Sequence, residues 1–164
     1  MNNLNCNNIN CCELKTTKFI INTEKKYKSS YKAGIFIYSP NNNKILIVQS
    51  NGKLWGAPKG TVKKNESIID CAIRETYEET GIKIDKNQLK ISTQIKSKAT
   101  YYYLEMNLKC IDEIYIPKEH IYNDVNSYAL INMSCLDYFI SNEIIKLNKH
   151  FIILLKRFLN YEIT

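Results

Sequence analysis

The stretch from Gly60 to Ile82 constrains this chain more than any other. It holds four of the chain's eleven Glu within 23 positions: Glu66, Glu75, Glu78 and Glu79. The last three stand at i, i+3 and i+4, so a helix places them on one face, where like charges repel. Gly81 follows at once, and a glycine there is a helix terminator. Acid near the carboxyl end of a helix also opposes the helix dipole. An ordinary acidic face turned to solvent is the bland alternative. Against it stand the chain's overall balance, 23 basic to 16 acidic residues and a net charge of +7, and the Gly-rich turn just upstream. A cluster that costs stability in this way points to divalent cations that neutralise it.

The candidate ligands are all oxygens, with no His or Cys among them. That donor set fits Mg²⁺ or Mn²⁺, held by a few carboxylates together with water and substrate phosphates. Such cations activate water and stabilise the charge that develops as a phosphoanhydride breaks. Arg74 is one of only two Arg beside 21 Lys. Its planar fork can hold a neighbouring carboxylate in one orientation, which Lys cannot do. Glu66, a turn or two upstream, is a further acid for the same site.

The surrounding elements read as follows. Tyr31 to Ser39 and Lys44 to Gln49 are strands of a hairpin turned at Pro40 to Asn43. Gly34 inside the first strand implies a close backbone approach. Ser50 to Val62 is a loop containing Trp55, Lys59 and Gly60. Asn65 or Ser67 caps a helix that ends at Gly81, with Ile69, Ala72, Ile73 and Thr76 on its apolar face and Cys71 with the glutamates on the other. Leu89 to Ile95 and Thr100 to Cys110 form a second hairpin. A strand from Ser127 to Met133, a short helix over Cys135 to Ile140 and a last helix from about Asn142 to Asn160 complete the order. These connections are too short for a doubly wound sheet, and they predict a mixed β-sheet held between helices. The division expected is an Asn- and Lys-rich flexible extension over 1–29 and one domain over 30–164.

Composition adds three expectations. No signal peptide or membrane-spanning run is present, so a soluble, cytoplasmic protein is expected. The six Cys contain no CxxC pair and only two His accompany them, so a structural zinc is not expected and free thiols are. The +7 charge fits a polyanionic partner, RNA included, but equally the Lys-, Asn- and Ile-rich usage of an AT-rich genome.

The run Gly60-x5-Glu66-x7-Arg74-Glu75-Thr76-x-Glu78-Glu79-x-Gly81-Ile82 resembles the box of the Nudix hydrolases, G-x5-E-x7-R-E-U-x-E-E-x-G-U. Thr76 is the one departure, standing where an aliphatic residue is usual. The resemblance implies an α/β/α sandwich and hydrolysis of a nucleoside diphosphate linked to another group. It implies that Glu75, Glu78 and Glu79, with Glu66 and the Gly60 carbonyl, serve the metal. Glu78 and Arg74 are then the catalytic and orienting groups.

The lead Trp55-Gly-Ala-Pro58-Lys59-Gly60 and the run Cys71-Ala-Ile-Arg-Glu are similar to the mRNA-decapping Nudix enzymes. That similarity implies a capped-RNA substrate, release of m7GDP, and a basic last helix lying along RNA. Lys59, Lys146, Lys149 and Arg157 are then substrate-binding candidates, and Asp124 aligns with the family's general-base glutamate. Asp124 also reads as a plain turn residue. Trp55 reads as a core plug or as a stacking surface for a base. A small hydrolase of dinucleoside or inositol polyphosphates is the competing reading, since these share the Trp-Gly-x-Pro-Lys-Gly lead. A non-catalytic nucleotide-binding module is the third, and the intact glutamates argue against it.

Overall fold

The computed structural model describes residues 11–17, 30–50, 52–120 and 125–163. Asp124 and most of the 1–29 extension lie outside the described residues. The strands are β1 (Glu13–Thr16), β2 (Lys32–Ser39), β3 (Lys44–Ser50), β4 (Leu54–Gly56), β5 (Lys59–Thr61), β6 (Ile91–Ile95), β7 (Ala99–Glu105), β8 (Val125–Asn132) and β9 (Lys146–Leu147). The helices are α1 (Ile68–Thr80), α2 (Leu136–Ser141) and α3 (Lys149–Leu159).

The main sheet runs β1-β8-β3-β2-β7-β6. Its pairs are antiparallel except β2–β7, which is parallel, so the sheet is mixed as expected. Alternation along the central strands sends side chains to two cores. Ile35, Ile37, Leu46, Val48, Tyr128 and Leu130 meet Cys71 and Ala72 of α1 on one face. Phe36, Ile45, Ile47, Ala129 and Ile131 meet Leu136, Phe139, Phe151, Leu154 and Leu155 of α2 and α3 on the other. Phe36 stacks on Phe151 with ring centroids 5.1 Å apart. The architecture is the α/β/α sandwich.

Several elements differ from the sequence reading. The loop over 50–62 contains two short strands: β5 pairs with β2 and β4 with β3. Part of the amino-terminal extension is ordered, because β1 covers the edge of β8. The last helix is not continuous from Asn142. Glu143 turns the chain at φ 57, and the Ile144 and Ile145 amides both donate to the Phe139 carbonyl. Leu147 is then claimed by β4 through parallel pairing with Trp55. Ile144 and Ile152, apolar positions within the expected helix, are exposed.

Candidate active site

Helix α1 starts where Ser67 accepts the Asp70 amide at its side chain and stops at Gly81, whose φ is 72. Ala72, Thr76 and Thr80 are buried beneath it. Thr76, the departure from the motif, is fully buried with no hydrogen-bond partner for its hydroxyl; it contributes volume. Two residues placed on the face opposite the apolar one are buried. Cys71 is fully buried and Glu79 is 5% exposed. Burial and the neighbouring Glu66 carboxylate push the Cys71 thiol up to about 12, so it stays neutral.

Arg74 is the hub of the acid cluster. Its Nε donates to Glu66 Oε1 at 2.6 Å and its Nη2 to Glu66 Oε2 at 2.9 Å, a bidentate fork. Its Nη1 donates to Glu75 Oε1 at 2.7 Å and to Glu78 Oε2 at 3.2 Å. The Thr61 carbonyl in β5 takes a further bond from Nη2 at 3.2 Å. One guanidinium thus ties three carboxylates to the β5 turn. The arrangement holds Arg74 well above its ordinary value, with the Glu66 bond as the main cause.

Glu66 also accepts the Lys63 amide at 2.9 Å. Both of its oxygens are therefore engaged, and it reaches the rest of the cluster through Arg74 rather than standing beside Glu75 as a further ligand. The Arg74 hydrogen bond holds its carboxyl at about 2, against an ordinary 4.5. A depressed acid stabilises the fold above its unfolded value, and that contribution is lost as pH falls from 4.5 toward 2. Urea denaturation across that window is expected to show a steep acid loss in the native protein and a shallower one in Glu66→Gln.

The fourth acid is placed differently. Glu79 Oε2 accepts the backbone amide of Lys59 at 3.0 Å. That amide lies where β5 runs beside β2, Gly34 opposite Lys59 and Ala33 opposite Gly60. The approach is close, as Gly34 implied: a Cβ there would stand 2.4 Å from the Pro58 carbonyl oxygen. At Gly60 a Cβ would stand 1.9 Å from the Glu75 carboxyl carbon. The missing side chain of Gly60 is the space that the Glu75 carboxylate occupies. With Glu75, Glu78 and Glu79 facing this turn, the donors are carboxylate and carbonyl oxygens, which fit a hard divalent cation.

A basic rim borders the acids, and the sequence reading passed over most of it. His150 Nδ1 and the Tyr101 hydroxyl are 3.0 Å apart. Burial first, then the charges of Lys59, Lys98 and Lys96, lower the pKa of His150. Tyr101 is 1% exposed, and burial, with the Glu79 charge adding to it, raises its phenol. Its position therefore joins the rim to the acid cluster. Asn148 brings α3 to this place: its side chain accepts the Phe151 amide at 2.9 Å and its own amide donates to the Trp55 carbonyl at 2.8 Å. Gly56 makes room, since a Cβ there would stand 1.9 Å from Asn148 Nδ2. The detectable signal for this rim was the alternation of β7, which puts Tyr101 on the α3 face.

The remaining candidates separate. Trp55 is 5% exposed within the α2/α3 core, so it is the core plug and has no face open to a base. Lys146 lies in β9 and Lys149 opens α3, and both are exposed. Arg157 is eight residues further along α3, about 12 Å at the helical rise. Its Nη1 donates to Thr93 Oγ1 and the Gln94 carbonyl, so it fastens α3 to β6.

The fold, the carboxylate-bearing helix and the glycine turn are the parts that the Nudix resemblance implied. The NUDIX domain model matches residues 29–124, and the chain belongs to the Nudix family. Its relatives include the m7GpppN-mRNA hydrolase of Saccharomyces cerevisiae, 35% identical over 107 residues. That match covers 62% of this chain and 11% of the relative. The mRNA-decapping protein g5R of African swine fever virus is 37% identical over 103 residues, covering 54% of this chain and 41% of that one. The chain thus spans well under half of the length of either. Among solved structures, the Escherichia coli dihydroneopterin triphosphate pyrophosphohydrolase superposes with a TM-score of 0.59 at 16% identity, covering 84% of this chain and all of that one, which establishes the shared fold. No helix among the described residues is long and apolar enough to cross a membrane.

Proposed function

We propose that this Nudix enzyme hydrolyses the phosphoanhydride bridge of capped mRNA and releases m7GDP. The observation that carries the reading is the acid cluster tied by Arg74 to the β5 turn, with the Lys59 amide on Glu79 at its edge, a setting for a polyphosphate chain with its scissile bond over α1. The named activity of the yeast and viral relatives supports a cap as the polyphosphate. Glu75, Glu78, Glu79 and the Gly60 carbonyl would hold a divalent cation such as Mg²⁺ or Mn²⁺, which would supply Lewis acidity and an activated water. Arg74 holds Glu75 and Glu78 in register, and Glu66 holds Arg74. Glu79 is kept by the Lys59 amide, while the Lys59 ammonium meets the phosphates. Glu78 serves as a proton acceptor for the attacking water, with Asp124 the other candidate base. Lys146 and Lys149 extend the rim toward the RNA body.

The test offers cap-labelled RNA, diadenosine tetraphosphate and an inositol pyrophosphate in parallel, with Mg²⁺ and with Mn²⁺. Release of m7GDP from the RNA alone is expected. Reversing Lys146 and Lys149 to Glu is expected to raise KM for RNA and flatten its salt dependence, by about one unit of slope per lost phosphate contact. Turnover of the free dinucleotide with no RNA cleavage would replace the cap reading with the small-polyphosphate one.

A further inference from the structure

Three sulfurs meet on the side of the sheet away from α1. Cys11 and Cys12 directly precede β1, and Cys135 closes the turn after β8. The antiparallel register of β1 on β8, Glu13 opposite Leu130, brings them together across more than a hundred residues. Cys11 Sγ lies 3.2 Å from Cys135 Sγ and 3.6 Å from Cys12 Sγ. Among the described residues this is the one group of three metal-ligating side chains whose ligand atoms all lie within 4.8 Å of one another. Zinc holds a thiolate at about 2.3 Å, so two sulfurs on one tetrahedral ion stand about 3.8 Å apart. The three sulfurs therefore sit near the corners of one face of such a tetrahedron.

Burial pushes the Cys12 thiol up to about 12, so its thiolate needs a bound metal ion, and two neighbours act against that burial. The Asn132 amide donates to Cys12 Sγ at 3.2 Å. Lys44 is nearly buried and its charge acts on Cys12. Three thiolates and one Zn²⁺ leave a single negative charge beside that ammonium. Glu13 shares Lys44 at 2.8 Å and also accepts the Ile111 amide, so the ammonium has an anion on either side.

We propose that Cys11, Cys12 and Cys135 form a zinc-thiolate site in the reduced protein, which clamps the amino-terminal strand to the end of β8. Cys11 is disulfide-bonded in this structure, so the site forms only once that bond is reduced. A dithiol reductant supplies two electrons and two protons to that bond and is itself oxidised to a cyclic disulfide. Zinc binding then releases the three thiol protons to solvent. The sequence spacing hid the site because its third ligand comes from the far end of the chain.

The full chain is reduced with a dithiol, exchanged anaerobically into thiol-free buffer and titrated with Co²⁺. The same titration is run in Glu78→Gln/Glu79→Gln protein, which removes binding at the carboxylates. A thiolate-to-cobalt charge-transfer band saturating near one equivalent, and displaced by Zn²⁺, is expected in both. Cys12→Ser and Cys135→Ser are expected to weaken binding at least about tenfold, and Cys71→Ser to leave it unchanged. On the unsubstituted chain, Zn²⁺ is expected to shield Cys11, Cys12 and Cys135 together from alkylation and to leave Cys110 unaffected. No thiolate charge-transfer band, or equal alkylation with and without Zn²⁺, would overturn the site.

Discussion

Glu78→Gln and Glu79→Gln are each expected to lower turnover on the order of 10³-fold while leaving the fold intact. The substitution keeps shape and removes charge. Glu78 loses a carboxylate that Arg74 aligns at 3.2 Å, and Glu79 loses one that the Lys59 amide aligns at 3.0 Å. Neither change opens a cavity. Removing one of three like charges on a single helix face relieves repulsion of about 0.2–0.5 kcal/mol per pair. The melting temperature is therefore expected to hold or rise as activity collapses. That opposition separates a functional cluster from a structural one. A structural cluster would lose stability and activity together.

Gly60→Ala is expected to cost on the order of 10²-fold in turnover with a loss of about 1 kcal/mol or less in stability. The introduced Cβ would lie within 2.2 Å of all three atoms of the Glu75 carboxyl group. Gly60 lies in a short strand opposite Ala33, and its backbone does not require glycine. The obstacle is the far end of a flexible side chain, which moves at little energetic cost. A carboxylate moved by about 1 Å is enough for a loss of that size. Glu75→Asp draws the carboxylate back by one methylene. Combined with Gly60→Ala it is expected to recover part of the activity, so the two substitutions are coupled in a double-mutant cycle. Strict additivity of the two losses would show that Gly60 acts elsewhere.

Much of this was legible in the chain because local rules and the chemistry coincide in α1. Ser67 caps it, Gly81 stops it, and the acids between fall at helical spacing. The hairpin strands were legible through their β-branched runs. What escaped was set by partners distant in sequence. Strands β4 and β5 have three residues each, too few to show a period, and exist because β2 and β3 offer them hydrogen bonds. Cys71 and Glu79 sit where the two faces of α1 meet, and the close approach of β2 and β5 decided which way each was covered. The last helix was read too long because apolar residues run across a break made by Glu143 and by the pairing of Leu147 with Trp55. Neither the basic rim nor the three-sulfur cluster has a signature at short range. Each joins segments brought together only by the sheet.

If α1 and the glycine turn hold a divalent cation that directs water onto a phosphoanhydride, the cation, the water and the carboxylates must all be needed for cleavage. The most direct measurement is cleavage of capped RNA in ¹⁸O-labelled water, with Mg²⁺ or Mn²⁺ and with a chelator, in the native chain and in Glu78→Gln. Turnover is expected only with the cation, with one labelled oxygen on the cleaved phosphate of m7GDP or of its RNA counterpart, and near-complete loss in Glu78→Gln. Chelator-resistant turnover, or cleavage that persists in Glu78→Gln at the native rate, would contradict it.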